Sequence, residues 1–323
     1  MALLTSRQVL EDRYSTFEIV GKPKTGKTAS LVSMMVHLDH IPQPNKILDL
    51  FDLDGDGAEA LISLVEKRVA EQTLPRAALS WLKLPEDGGR LRIYRYINSE
   101  RKMLVDDVAP DRQLKPFIDF SNDLNTIVDM KDPHGNWRNP PTAPGCVVLD
   151  PCTALSDMIF DYMLRKRNKE LGLGSKESGQ TVAEGNKKYV DPQDWTALQQ
   201  KIVDTIKVLK TFPCHRVVTF HEELVQETVP GNLSMQKGVT ATIPERATGQ
   251  ILNLPLLSGK LQSSIGQHFS IILYSRYRPA TKKSDSYIWI TVPSESDRIS
   301  IAGTRHRKEL PNQMIQNFCD ILD

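Results

Sequence analysis

The chain has 323 residues, of which 40% are hydrophobic and 25% are charged, and its formal net charge at pH 7 is +1. This composition is ordinary for a globular protein, and the near-zero charge excludes a global electrostatic attraction to nucleic acid or membranes. The four cysteines form no Cys-x-x-Cys pair, which argues against a disulfide framework or a zinc site.

The N-terminus lacks the basic, apolar and small-residue order of a signal peptide, and no apolar run approaches the roughly 18 residues that cross a bilayer. We therefore expect a soluble, cytoplasmic protein with no membrane partner. Any binding to nucleic acid then depends on local clusters of basic residues.

The first part of the chain alternates strands and helices. An apolar run at 17–20 precedes a glycine-rich turn at 21–28, and residues 29–38 have helical spacing until Pro42 and Pro44 end the helix. A short strand at 46–53 ends in acids and is followed by a predicted helix at 58–71. We interpret residues 85–145 as an elaborated crossover with a strand-like piece at 91–94 and a helix at 115–129.

The second part begins with a run at 145–150 that is typical of a central parallel strand. Helices are predicted at 153–169, 194–211 and 311–322, and strands at 216–221, 270–274, 287–292 and 298–301. Residues 166–194 and 224–260 lack apolar periodicity and are predicted to be mobile loops. The order predicts a single α/β domain over 1–323 whose mostly parallel, twisted sheet is flanked by helices and extended by antiparallel strands towards the C-terminus.

The turn at 21–28 reads GKPKTGKT and fits the phosphate-binding pattern G-x-x-x-x-G-K-[S/T]. Backbone N–H groups and the following helix N-terminus supply donors to a triphosphate, and Lys27 reaches its β and γ phosphates. A chance match in a glycine-lysine turn is the alternative, and the flanking strand and helix argue against it. The predicted ATP contacts are Gly21, Lys22, Pro23, Lys24, Thr25, Gly26, Lys27, Thr28 and Ala29.

Three strand ends carry further candidate residues. The hydroxyl of Thr28 can ligate Mg²⁺, and Asp150, after the apolar strand at 145–150, is the candidate second anchor. An acid there could instead cap the following helix. Of the acids after the second strand, Asp52 and Asp54, we predict that Asp54 orients or deprotonates the attacking water.

The segment 52–57 also resembles the start of a calcium loop, but Ser63 stands where the bidentate glutamate belongs. A solvated acidic turn is the remaining alternative for Asp54. His221 ends the next strand and is a candidate γ-phosphate sensor or, alternatively, a structural histidine.

Taken in order, these motifs resemble the RecA-like branch of the P-loop ATPases, in particular the phage-encoded group filed with single-strand annealing proteins of the Sak type. The resemblance implies a RecA-like P-loop fold, DNA-dependent ATP hydrolysis with Mg²⁺, and a role in phage recombination or replication in the host cytoplasm. It assigns water activation to Asp54, where many relatives have glutamate, the Walker B acid to Asp150, and the sensor to His221.

The resemblance also implies partners. The DNA-binding loops of RecA-like proteins follow the strands that end at Asp150 and His221, so single-stranded DNA is expected to bind there, with a single-strand-binding protein as a further partner. The candidate DNA contacts are Arg165, Lys166, Arg167, Lys169, Lys176, Lys187, Lys188 and Tyr189. Basic side chains follow a phosphate backbone and an aromatic stacks on a base, whereas a plain solvated loop is the alternative.

RecA-like and DnaB-like motors insert a basic-x-basic pair into the neighbouring subunit's site, and Arg305 and Arg307 match that pattern. They imply a homo-oligomer, either a ring or a filament, in which each arginine stabilises charge in the transition state of its neighbour. Surface arginines that serve solubility are the alternative. Three other functions stay open: a helicase-like or helicase-loading motor, a nucleotide switch that does not hydrolyse ATP, and a small-molecule kinase, against which the lack of an arginine-rich lid sequence after the strand that ends at His221 argues.

Overall fold

The computed structural model describes residues 14–42, 44–83, 87–96, 110–170, 192–229, 233–236, 239–242, 246–257, 261–278, 287–299, 302–304 and 310–322. In these ranges the predicted α/β class is confirmed: a mostly parallel sheet lies between helices and is extended by antiparallel strands. None of the described helices is both long enough and apolar enough to cross a membrane.

The elements alternate through the first half and become strand-rich in the second. Up to residue 150 they are β1 (Thr16–Val20), α1 (Lys27–His40), β2 (Ile47–Asp52), α2 (Gly57–Ala70), β3 (Leu91–Arg95), α3 (Pro110–Asp129) and β4 (Pro144–Asp150). The next group is α4 (Cys152–Glu170), α5 (Pro192–Lys210), β5 (His215–Phe220), β6 (Glu222–Val229), β7 (Leu233–Gln236), β8 (Val239–Thr242) and β9 (Arg246–Pro255). The last are α6 (Leu261–Ser264), β10 (Ile271–Tyr277), β11 (Tyr287–Ile290), β12 (Gly303–Thr304), β13 (Gln313–Ile315) and α7 (Cys319–Leu322).

The central sheet has the order β13-β11-β10-β1-β5-β4-β2-β3, and β12 pairs with the amino end of β10. The strands from β10 to β3 in this order pair in parallel, whereas β11 and β12 are antiparallel to β10 and β13 is antiparallel to β11. The carboxyl ends of β1, β2, β4, β5 and β10 therefore meet at one edge of the sheet. Their following turns carry the candidate residues to that edge.

Two buried apolar clusters cover the faces of this sheet. One contains Leu31 of α1 and Leu61 of α2, and the other contains Leu155 of α4 and Ile202 of α5. Because helices cover both faces, the central strands are buried along their whole length rather than on alternate residues, as in β1, β2, β4 and β5. The helices predicted at 58–71, 115–129, 153–169 and 194–211 correspond to α2, α3, α4 and α5.

The helix predicted at 311–322 is wrong over most of its length. Gln313–Ile315 is β13, paired with β11, and only Cys319–Leu322 is helical. The apolar residues of this segment have helical spacing, but β11 presents an edge whose backbone groups need partners. Pairing with that edge leaves Ile315 51% exposed, a position that a packed helix would have buried.

The loop predicted at 224–260 also differs from the structure. It contains β6 and β9, which form an antiparallel two-stranded ladder, and the short pair β7 and β8. Leu224 on β6 and Ile251 on β9 are 52% and 40% exposed, although Leu254 on β9 is buried. The periodicity of apolar residues in the sequence therefore does not predict this ladder.

Two other expectations are met in part, and the loop predicted at 166–194 is wrong in the residues of it that the structure describes. β3, within the predicted crossover at 85–145, joins the sheet as an edge strand beside β2. The strand predicted at 298–301 is represented by a single bridge between Ser294 and Ile299, and residues 300 and 301 lie outside the described residues. Residues 171–191 of the predicted loop 166–194 also lie outside them, whereas 166–170 belong to α4.

The end of β2 is tied to the start of α2 by Asp52. Its buried carboxylate accepts bonds from the backbone N–H groups of Gly55 (3.0 Å), Gly57 (3.2 Å) and Ala58 (3.2 Å). The guanidinium of Arg95 adds a bond of 3.2 Å to the same group. Asp52 therefore satisfies helix donors that would otherwise have no partner.

We predict that Asp52→Ala lowers the free energy of unfolding by about 3 kcal/mol, because several buried N–H groups lose a charged acceptor. The matched control is Asp56→Ala, since Asp56 is exposed at the N-cap position of α2 and its side chain makes no cap bond. That change is expected to cost less than about 0.5 kcal/mol. Urea denaturation of both variants tests this, and equal losses would contradict the assigned role.

Candidate functional site

The phosphate loop, residues 21–28, connects β1 to α1 through a turn that requires glycine. Gly26 has φ of +89°, and a Cβ there would lie 2.7 Å from Gln316 Oε1. A Cβ on Gly21 would lie 2.7 Å from the carbonyl oxygen of Ser275. Both glycines of the motif therefore permit a close approach between the phosphate loop and the C-terminal third of the chain.

Residues distant in sequence support the phosphate loop from behind. The carbonyl oxygen of Thr25 accepts bonds from Ser275 Oγ (2.8 Å) and Gln316 Nε2 (3.1 Å). Gln316 also donates to Ser275 Oγ at 2.5 Å and is 291 residues from Thr25 along the chain. Sequence reasoning missed this support because no local pattern relates the two segments.

Lys27 lies inside the phosphate loop, with only 6% of the residue exposed. Its ammonium group donates to the carbonyl oxygens of Gly21 and Lys22, each at 2.8 Å. Burial lowers the pKa of Lys27 to about 8, against the opposing effect of nearby acids, of which Asp150 is the strongest. An incoming anion would favour the charged form of this buried group.

Thr28 and Asp150 meet at the mouth of the phosphate loop. Thr28 Oγ1 donates to Asp150 Oδ2 at 2.6 Å, and the hydroxyl of Thr219 on β5 donates to the other carboxylate oxygen. Asp150 is 3% exposed. Sequence reasoning missed Thr219, although a hydroxyl within the apolar run of β5 was an available signal.

The oxygen atoms of Thr28 and Asp150 suit Mg²⁺ chemically, since this ion uses one or two protein ligands together with phosphates and waters. In the part of the chain that the structure describes, no group of three or more histidines, cysteines or acids could hold a metal ion by itself.

Asp54 follows β2 and differs from Asp52 in its surroundings. It is exposed, and the backbone N–H of Asp56 donates to its carboxylate at 3.2 Å. Partial desolvation, followed by the charges of Asp150 and Asp52, raises the pKa of Asp54 to about 6. The carboxylate of Asp54 is thus accessible to solvent at this edge of the sheet, whereas the carboxylate of Asp52 accepts hydrogen bonds from the backbone at the start of α2.

His221 follows β5 directly. Its backbone N–H donates to Thr153 Oγ1 at 3.1 Å, and its carbonyl oxygen accepts from the N–H of Leu256 at 2.7 Å. Within the described residues, its Nδ1 is buried and has no hydrogen-bond partner. Desolvation and then the charge of Lys27 lower the pKa of His221, which favours the neutral imidazole.

The other predicted residues are only partly described. In the phosphate loop, Lys22, Pro23 and Lys24 are exposed, whereas Ala29 is half-buried at the start of α1. Lys166 is exposed on α4, and the side chains of Arg165, Arg167 and Lys169 on that helix lie outside the description. The remaining candidates, Lys176, Lys187, Lys188, Tyr189, Arg305 and Arg307, lie outside the described residues.

Thr304 is the last described residue before Arg305 and Arg307, and it pairs with Ile271 at the amino end of β10. The phosphate loop contacts Ser275, nearer the carboxyl end of the same strand. Four strand residues span roughly 13 Å. The chain therefore leaves Thr304 at the end of β10 that is away from its own phosphate loop.

An ion pair that sequence reasoning did not identify lies beside these groups. Arg276, near the end of β10, binds Glu222, the first residue of β6, with 2.5 Å between Nη1 and Oε2. The two residues are 54 positions apart, and neither belongs to a recognisable motif.

Comparison with protein-family models and with curated proteins found no match to this chain.

Proposed function

We propose that this protein is a RecA-like, Mg²⁺-dependent ATPase of the cytoplasm that assembles into a ring or filament and acts on single-stranded DNA in phage recombination or replication. The observation that carries the proposal is the meeting of Thr28 and Asp150, 2.6 Å apart, at the mouth of a phosphate loop that encloses Lys27. A strand-end acid and a hydroxyl at that position fit the two protein anchors of a nucleotide-bound Mg²⁺.

In this proposal, Lys27 exchanges its bonds to the loop carbonyls for bonds to the β and γ phosphates. Thr28 and Asp150 would hold Mg²⁺, which neutralises charge on the phosphate oxygens when it is bound. Asp54 is exposed on the same edge and electrostatically close to Lys27, so it is placed to accept a proton from water.

The position of β5 supports a sensor role for His221. β5 lies between β1 and β4 in the sheet, so the residue after it stands between the phosphate loop and Asp150. Its backbone is bonded to Thr153, which follows Asp150 on α4, and to the segment after β9. A change at the phosphates could therefore reach both segments for which DNA contact is proposed.

A nucleotide switch without turnover is the second candidate. In this candidate, the carboxylate of Asp52 is held by the backbone of α2 and Asp54 does not activate water, so bound ATP only fixes a conformation. A helicase-like or helicase-loading motor uses the same chemistry and differs in what the oligomer does to DNA.

We predict that the purified protein hydrolyses ATP with Mg²⁺, and that single-stranded DNA increases the rate most at low salt, where phosphate contacts are strongest. Lys27→Ala should lower ATP affinity by about 100-fold, because a buried cation is lost from the phosphates. Steady-state assays with and without DNA test this prediction, alongside sizing with a non-hydrolysable analogue. Unchanged affinity in Lys27→Ala would contradict the phosphate-loop assignment, and turnover without any DNA response would contradict the DNA role.

We predict a bell-shaped pH profile of kcat/KM for ATP. The rate should rise as the pH increases through about 6, where Asp54 loses its proton, and fall above about 8, where Lys27 loses its charge. Asp54→Asn should lower kcat by about 100-fold and flatten the acid limb while ATP still binds. The control Asp56→Asn should keep both limbs, and an unchanged rate in Asp54→Asn would show that another group acts as the base.

Subunit mixing tests the arginine pair. Arg305→Ala and Asp54→Asn should each be nearly inactive alone. In an equal mixture, about one quarter of the subunit interfaces combine an intact Asp54 from one subunit with an intact Arg305 from its neighbour, so the mixture should recover about one quarter of the wild-type rate. The control mixture of Asp54→Asn with Lys27→Ala should recover no activity, because both changes affect the part of the shared site that binds ATP, so no interface has that part intact. Equal recovery in both mixtures, or in neither, would contradict action on a neighbour.

A further inference from the structure

The ion pair between Glu222 and Arg276 crosses the start of the phosphate loop. In the sheet, β10 and β5 flank β1 on opposite sides, and their centres are about 10 Å apart at ordinary strand spacing. Arg276 lies near the carboxyl end of β10, whereas Glu222 comes two residues after the end of β5. Their contact of 2.5 Å therefore bridges the carboxyl end of β1, where Gly21 begins the turn.

The pair is largely withdrawn from solvent, with side-chain exposures of 2% for Glu222 and 15% for Arg276. Arg276 Nη1 also donates to the carbonyl oxygen of Ser275 at 3.0 Å, and the guanidinium lies 5.7 Å from the centre of the Tyr274 ring. Among the described residues, Nη2 of Arg276 is buried and has no hydrogen-bond partner. Nη2 is therefore a charged donor that a ligand at this position can use.

The surroundings favour a phosphate as that ligand. The charge of Glu222 raises the pKa of Lys27 and the charge of Arg276 lowers it, so both groups lie within electrostatic reach of the lysine inside the phosphate loop. A guanidinium presents paired N–H groups that match phosphate oxygens, and a neighbouring carboxylate keeps it oriented. Glu222 also follows His221, the proposed γ-phosphate sensor, in the chain.

We propose that Arg276 is a second cation of this site, which contacts the terminal phosphate of ATP bound to the same chain, and that Glu222 is its positioning residue. The inference rests on the proposed binding of ATP. This role differs from the one proposed for Arg305 and Arg307, which act on the site of a neighbouring subunit. Arg276 acts within its own subunit, and it stabilises bound ATP before hydrolysis as well as the transition state.

The experiment measures the affinities of a non-hydrolysable ATP analogue and of ADP, both with Mg²⁺, by displacement of a fluorescent nucleotide. Arg276→Gln should weaken binding of the ATP analogue about tenfold and change ADP binding less than about twofold, because only ATP carries the terminal phosphate. Arg276→Lys keeps the charge and should lose less than about threefold.

Two further variants separate this role from a structural one. Arg278→Gln removes an arginine next to β10 whose guanidinium binds Asp297 at 2.9 and 3.1 Å, and it should leave both affinities unchanged. The double variant Arg276→Gln with Glu222→Gln avoids a buried, unpaired carboxylate. It should melt within a few degrees of the wild type without nucleotide and still show the selective loss for the ATP analogue.

The outcomes are distinguishable from failure of the proposed function. If the wild type binds neither nucleotide, or Lys27→Ala leaves both affinities intact, the proposed ATP site is wrong and this inference falls with it. If Lys27→Ala weakens both nucleotides while the Arg276 variants weaken neither, or weaken ADP as much as the ATP analogue, then ATP binding stands and the role of Arg276 is refuted.

Discussion

The bond between the hydroxyl of Thr28 and the carboxylate of Asp150 joins two segments that are 122 residues apart in the chain. It depends on parallel pairing, because only strands that run in the same direction bring their carboxyl ends to one edge. β5 lies between the two strands involved, and its Thr219 hydroxyl occupies the second oxygen of Asp150. The phosphate loop, Asp150 and β5 are consequently held as one unit, on which the proposed ATP chemistry depends.

Three acids reach this edge of the sheet, and their surroundings give them different capacities. Asp52 accepts backbone N–H groups at the start of α2 and is committed to the fold. Asp150 is buried, and among the described residues its carboxylate accepts the hydroxyl groups of Thr28 and Thr219, which a cation could replace. Asp54 is exposed, and partial desolvation, followed by the charges of the neighbouring carboxylates, raises its pKa to about 6, which suits an exchange of protons with water near neutral pH.

Several charged side chains of the site are removed from solvent, which is unfavourable unless they are paired. Lys27, Arg276 and Glu222 are all largely removed from water, and each is stable there because carbonyl oxygens or an opposite charge lie close by. This arrangement keeps the cations beside the phosphate loop in the absence of nucleotide. A triphosphate could then bind to groups that are already desolvated and oriented, so less reorganisation would be needed.

The local sequence determined a large part of this protein. Glycine and lysine spacing identified the phosphate loop, apolar runs identified the central strands, and strand-end polarity identified Asp150 and His221, because these signals depend on neighbours in the chain. Prediction from local sequence failed where the pairing partner lies elsewhere in the chain: residues with helical spacing form β13 by pairing with the edge of β11, and β6 pairs with β9 although Leu224 and Ile251 on these strands are exposed. Only the tertiary structure decided which acid after β2 caps a helix, which side chains support Thr25, and that Arg276 meets Glu222 across β1. Such contacts join residues far apart in sequence, and strand order, rather than any local periodicity, brings them within bonding distance.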